Sequence, residues 1–195
     1  NCGAGLVGVA QRGWGAGSGM SIHICLHGAE STGKSTLAPE IAGFLGAVIV
    51  EEYGRIYCEE HGTDLTLEDL RAIFRGHVAA TEAVRAQGAA VILSDTDPLM
   101  TQAWAVMLFG ERLAEIDAWG DVADFYLVPA LDLPWQDDGT RMFGSMEARA
   151  RFMDVAIGEL ARRGLPWASV RGMGDARAES AKAALVAAGF GPAAG

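Results

Sequence analysis

Residues 28–36 read Gly28-Ala29-Glu30-Ser31-Thr32-Gly33-Lys34-Ser35-Thr36, which is the spacing G-x-x-x-x-G-K-[ST] of a phosphate-binding loop. The flanks agree with that reading. Residues 21–26 form a short apolar run of strand length, and residues 37–45 have helical spacing. Strand, glycine-rich turn and helix together turn successive backbone N–H groups and a helix N-terminus toward one anion. The whole loop from Gly28 to Thr36 is therefore expected to cradle a nucleoside triphosphate. Lys34 would reach its β- and γ-phosphates, and the Ser35 hydroxyl would ligate Mg²⁺.

Working outward, apolar runs recur with helical stretches between them. They are residues 47–50, 89–93, 125–128 and 167–170, and the longest helical pattern covers residues 67–87. Continuous rather than alternating apolar strands imply burial on both faces. The predicted fold is α/β: a P-loop NTPase with a parallel β-sheet of about five strands flanked by helices. Ligands bind at the carboxyl ends of such strands. That places the loop, residues 51–55 and residues 95–97 along one edge.

At 195 residues the chain suits a single domain, read as residues 20–195. Residues 1–19 are glycine-rich and nearly uncharged, and are expected to be a disordered extension or an artefact of the assigned start. The net charge of −10 argues against a nucleic-acid partner, because phosphate backbones are bound through a surplus of Lys and Arg. It does not oppose ATP, since loop amides, one lysine and Mg²⁺ supply positive potential locally. Cys2, Cys25 and Cys58 show no metal-ligand spacing, and reduced thiols suit a cytoplasmic location. His23, His27, His61 and His77 share no metal-binding spacing either. No apolar run approaches the ~18 residues of a membrane span, so no membrane partner is expected.

Three further blocks carry chemistry. Asp95 and Asp97 follow the third strand, where a carboxylate can hold the Mg²⁺ water shell or take a proton from an attacking hydroxyl. Two acids two apart on an extended chain point to opposite faces, so their roles can differ; either one can instead cap the helix that follows. In Glu51-Glu52-Tyr53-Gly54-Arg55, Glu52 can bind substrate hydroxyls, Tyr53 can stack on a planar ring and Arg55 can contact a phosphate. The plainer alternative is a solvated turn. Pro134-Trp135-Gln136-Asp137-Asp138-Gly139-Thr140-Arg141 follows the fourth strand, and Arg141 there can neutralise charge on a transferring phosphoryl group. Trp135 as core and Arg141 as a surface residue are the alternatives. Adenine contacts are expected near residues 171–175.

With these blocks in view the chain resembles the ribosylnicotinamide kinase domain of the NadR-type family, whose members include NadR-like P-loop ATPases of AAA type. The matching residues are the loop at 28–36, Glu52-Tyr53-Gly54-Arg55-Ile56-Tyr57, Asp95-Thr96-Asp97 with Thr101-Gln102-Ala103, and residues 134–141. The resemblance implies a nucleoside-kinase-like fold with a short lid. It implies a phosphotransferase that moves the ATP γ-phosphate to the 5′-hydroxyl of nicotinamide riboside, yielding nicotinamide mononucleotide for NAD salvage. Carried over by position, Lys34 and Ser35 serve ATP and Mg²⁺. Glu52, Tyr53, Asp95 and Asp97 lie on the substrate side, and Trp135 and Arg141 belong to the lid. In this scheme Asp97 deprotonates the acceptor and Asp95 serves Mg²⁺. The adenylyltransferase and DNA-binding activities of full-length regulators are expected to be absent. A kinase for another nucleoside or small alcohol, or a regulatory ATPase without an acceptor, remain the alternatives. A GTPase is disfavoured by the lack of an Asn-Lys-x-Asp string.

Overall fold

The computed structural model describes residues 21–135 and 142–192. Its centre is a five-stranded parallel sheet of β1 (Ile22–Leu26), β2 (Val48–Val50), β3 (Val91–Asp95), β4 (Phe125–Pro129) and β5 (Trp167–Val170), ordered β2-β3-β1-β4-β5. The strands are continuously apolar because helices cover both faces. Ile24, Leu26, Phe125 and Leu127 pack beneath α1 (Lys34–Leu45) and α7 (Asp175–Ala187). Cys25, Tyr126 and Val128 face α3 (Leu67–Ala86), α4 (Pro98–Phe109) and α6 (Met146–Arg162). The alternation of neighbours on β1 and β4 is the two-residue period of a strand.

Strand order positions the site. The chain moves from β1 outward to β2 on one side and from β4 to β5 on the other, so the direction reverses beside β1. Ligands bind outside the carboxyl ends at such a reversal. Leu26 of β1 lies in register with Asp95 on one side and Leu127 on the other. The loop that follows β1 is therefore flanked by Asp95.

Two helices depart from the expectations. Residues 53–61, outside every helical stretch expected and beginning where a solvated turn was the plainer alternative, form helix α2 (Tyr53–His61). α6 was not anticipated; Ser145 caps it by accepting from the Ala148 N–H at 3.1 Å. The long helix was anticipated, and a capping box fixes its start: the Thr66 hydroxyl accepts from the Asp69 N–H while the Asp69 carboxylate accepts from the Thr66 N–H. Residues 1–20, most of the expected lid (136–141) and residues 193–195 lie outside the described residues.

Candidate active site

The loop between β1 and α1 takes its shape from two glycines. Gly28 has φ +126° and Gly33 has φ +78°, both on the side of φ space that side chains disfavour. A Cβ on Gly28 would also meet the Met153 methyl at 3.1 Å. Inside the loop the Thr32 hydroxyl donates to the Ala29 carbonyl at 2.8 Å, and the Lys34 ammonium donates to the Gly28 and Ala29 carbonyls at 3.0 Å each.

Two buried arginines hold the loop from behind. Arg149 of α6, 1% exposed, donates to the carbonyls of Ser31 (3.1 Å) and Glu30 (3.4 Å). Arg177 of α7 donates to the Thr32 carbonyl at 2.7 Å, to the Gly172 carbonyl at 2.8 Å and to Asp132. With its carbonyls engaged behind, the loop keeps its N–H groups for an anion in front. Sequence reasoning missed both arginines. Their one signal is a long cation in a helix's apolar stripe, as Arg149 stands with Phe152 and Met153. Arg177 also draws the 171–175 loop, where adenine contacts were expected, against the phosphate loop.

The carboxylates sort into two environments. Asp95 ends β3, and its buried Oδ1 has no hydrogen-bond partner among the described residues. With Ser35, Glu51 and Glu52 it lines an open acidic hollow beside the loop. Glu52 stands at the N-cap of α2 with its side chain 23% exposed and Arg55 at 3.4 Å. Burial pushes the Glu52 pKa up, Lys34 pulls it down, and Asp95 raises it again. The Ser35 hydroxyl and the Asp95 carboxylate, with its orphaned buried oxygen, offer oxygen donors of the kind Mg²⁺ takes.

Asp97 is elsewhere. Expected to face the acceptor, it is 2% exposed and does not line the cleft. Its Oδ1 accepts from the Leu99 N–H at 3.0 Å and its Oδ2 accepts from the Tyr126 hydroxyl at 2.7 Å. It is the N-cap of α4, the capping alternative for this pair of acids. The reason is local: Thr96, at φ +70°, breaks the extended geometry that would have separated the two acids across the sheet. Burial raises the Asp97 pKa to about 6. Cys25, His27 and Asp97 bring three ligand atoms within 4.8 Å of one another. The Asp97 oxygens are already committed and burial pushes the Cys25 thiol up, which makes this trio a polar knot in the core.

In front of the loop a cleft of about 860 Å³, counted to its open mouth, runs from Gly33, Lys34 and Ser35 past Glu52 into a chamber between α2, α3 and α4. Leu70, Ile73, His77, Met100 and Trp104 line that chamber. Tyr53, expected to stack on a substrate ring, does not line it: its ring covers Gly76 on α3 and tilts against His77 at 6.2 Å. Trp104 supplies the aromatic wall in its place. Arg55 does line the cleft. Trp135 also lies away from the cleft, beside Gly144, where an added Cβ would meet its ring at 3.6 Å. Arg141 falls outside the described residues, but the segment just after it is well placed. The Glu30 carboxylate accepts from the N–H groups of Met142 (3.1 Å) and Phe143 (3.3 Å), and Phe143 stacks on Trp104 at 5.1 Å. Met142 closes the cleft from above.

A family model described as an AAA domain matches residues 23–177. The chain belongs to that family. Among curated proteins it is similar to two trifunctional NAD biosynthesis/regulator proteins NadR. That of Salmonella typhimurium is 30% identical over 154 residues, 76% of this chain and 38% of the relative. That of Escherichia coli is 31% identical over 140 residues, 69% of this chain and 34% of the relative. The chain thus spans little more than a third of those proteins. Among solved structures, a NadR protein in complex with NR superposes with a TM-score of 0.66 at 23% identity, covering 85% of this chain and 50% of that one. Thymidylate kinase from Ehrlichia chaffeensis gives 0.62 at 16% identity, covering 86% and 98%. The resemblance to the NadR type and the nucleoside-kinase-like P-loop fold are both borne out. No helix among the described residues is long and apolar enough to cross a membrane.

Proposed function

We propose that this chain transfers the γ-phosphoryl group of ATP to the 5′-hydroxyl of nicotinamide riboside, giving nicotinamide mononucleotide and ADP. One observation carries the proposal. A single cleft joins the phosphate loop to an apolar chamber of ring-binding character, with a carboxylate between them. Similarity to NadR proteins, one of them solved in complex with NR, supports the choice of acceptor.

The chain's own residues divide the work. Loop amides and Lys34 hold the β- and γ-phosphates, and the chamber holds the riboside so that its 5′-oxygen faces the γ-phosphorus. Glu52 takes the hydroxyl proton, and its raised pKa makes it the better base. The new bond joins the 5′-oxygen to the γ-phosphorus, and the bond to the β–γ bridging oxygen breaks, leaving its electrons on ADP. Ser35 and Asp95 would hold Mg²⁺, which supplies charge neutralisation at the phosphates. Arg141, which lies outside the described residues, would add to it on the family resemblance, and Arg55 is close enough to Glu52 to tune it. Free Cys25 and Cys58 suit a reducing cytoplasm.

The test is to incubate the protein with Mg·ATP and nicotinamide riboside, with thymidine and deoxyadenosine as competing acceptors, and to follow ADP and each nucleotide product. Equal amounts of ADP and nicotinamide mononucleotide are expected. ADP with another nucleotide would reassign the acceptor. ADP alone would favour a regulatory ATPase.

A further inference from the structure

Asp132 follows β4, has no part in the proposed chemistry and belongs to none of the sequence blocks that carry the NadR-type resemblance. Both of its oxygens are nevertheless engaged. Oδ2 accepts from the Gly172 N–H at 2.9 Å, and Oδ1 pairs with the Arg177 guanidinium. Arg177 in turn donates from Nε to the Gly172 carbonyl at 2.8 Å and from Nη1 to the Thr32 carbonyl at 2.7 Å. One ion pair thus holds both backbone polar groups of Gly172, with the added strength of charge-assisted hydrogen bonds. A Cβ on Gly172 would meet the Ala176 side chain at 3.2 Å, so the turn also lies close on the start of α7. The loops after β1, β4 and β5 all meet at this clip. Met173, next along, is 65% exposed, the most of any large apolar side chain among the described residues.

Sheet order decides which end of a nucleotide meets the clip. The chamber lies on the β2–β3 flank, where α3 packs, and Glu52 follows β2. The clip lies on the β4–β5 flank, and the phosphate loop between them follows β1. A triphosphate whose γ end points toward Glu52 therefore carries its nucleoside toward the clip. We infer that Asp132 is a positioning residue for the donor nucleotide: through Gly172 and Arg177 it holds the 172–174 turn beside the phosphate loop, where the nucleobase rests on Met173. This inference rests on the reading of residues 28–36 as a triphosphate loop and is independent of the acceptor. Methionine sulfur makes favourable contacts with aromatic rings. A turn already held in place spares the ligand the cost of ordering it. Among the described residues Asp132 reaches the phosphate loop through Arg177, whereas it touches the turn directly. Its loss therefore bears on the nucleoside before the phosphates.

The experiment titrates Mg·ATP, and Mg·tripolyphosphate as the same anion without a nucleoside, into wild type, Asp132→Ala, Asp132→Asn and Met173→Ala by calorimetry. Wild type should bind ATP more tightly than tripolyphosphate. In Asp132→Ala the Kd for ATP should rise about three- to tenfold, the effect of having to order a few groups on binding, while that for tripolyphosphate stays within about twofold. Asparagine keeps an acceptor for the Gly172 N–H, so Asp132→Asn should recover part of the loss. Met173→Ala should weaken ATP and spare tripolyphosphate. Equal weakening of both ligands in Asp132→Ala would overturn the inference, because the residue would then be acting on the phosphate loop. Unchanged ATP affinity in Asp132→Ala or in Met173→Ala would also overturn it, as would wild type binding the two ligands alike. Should Asp132→Ala fail to fold, the same comparison in Asp132→Asn and Met173→Ala decides the matter. If wild type binds neither ligand, the triphosphate reading itself fails and this inference goes with it.

Discussion

Glu52 and Asp97 are both carboxylates whose pKa burial raises, and their surroundings put them to different uses. Glu52 opens onto the cleft beside Lys34, where on the proposed reading a raised pKa would serve proton acceptance. Asp97 has both oxygens committed inside the protein, so its raised pKa is a matter of stability. Glu52→Gln should therefore lower kcat about 10²- to 10⁴-fold with little change in KM for ATP. Asp97→Asn should leave kcat within about threefold, since no reacting group touches it. The Asp97 pKa is near 3.8 unfolded and about 6 folded. The folded state thus binds the extra proton between these values, and stability falls as pH rises through that window. Asparagine keeps an acceptor for the Leu99 N–H and removes this slope, on the order of 3 kcal/mol in all. Thermal melts of the two proteins between pH 4 and 7 would show it. The sequence could place both acids at strand ends, but not say which one faced the cleft. That depended on the left-handed turn at Thr96, and nothing in a threonine announces such a turn.

At the scale of elements, α2 and α3 meet where Tyr53 lies flat over Gly76. A Cβ at position 76 would stand 2.0 Å from the tyrosine ring. Gly76→Ala should therefore cost about 1–3 kcal/mol through overpacking, more than the ~1 kcal/mol of helix propensity it gains. Tyr53→Ala in the same chain should recover much of the loss, a non-additivity that urea denaturation of the single and double variants would reveal. α3 was legible because Leu70, Ile73, His77 and Thr81 repeat at helical spacing on its buried face. α2 was not, because none of its residues is buried and it has no apolar stripe to read. In α6 the buried stripe includes Arg149 and Glu159, and charges at core positions hide the period. Its function in holding the phosphate loop is what breaks its pattern.

For the molecule as a whole, three histidines set the response to acid. Burial holds His23, His27 and His77 near a pKa of about 4, against 6.5 when unfolded. The unfolded chain then binds more protons between those values, so stability is full above pH 6.5 and is lost as pH falls toward 4. Each histidine should cost roughly 2 kcal/mol by pH 5, and protonation of Asp97 returns only about 1 kcal/mol. The melting temperature should drop steadily from pH 7 to pH 5; a flat profile would contradict buried neutral imidazoles. The sheet was readable in outline from its apolar runs, and the motif located its active edge. Strand order, and with it the chamber between α2, α3 and α4, arises from contacts between segments far apart in the chain, which no local pattern contains. One such contact reaches further. Through Phe143, the same short segment rests on Trp104 at the proposed acceptor end and hangs from Glu30 beside the phosphate loop. On the proposed reading, two ligands bound at either end of that shared segment would be thermodynamically linked, and linkage is reciprocal. Any tightening of ATP caused by the riboside must return, factor for factor, as a tightening of the riboside caused by ATP, and titrating each in the presence of the other would give the same ratio twice.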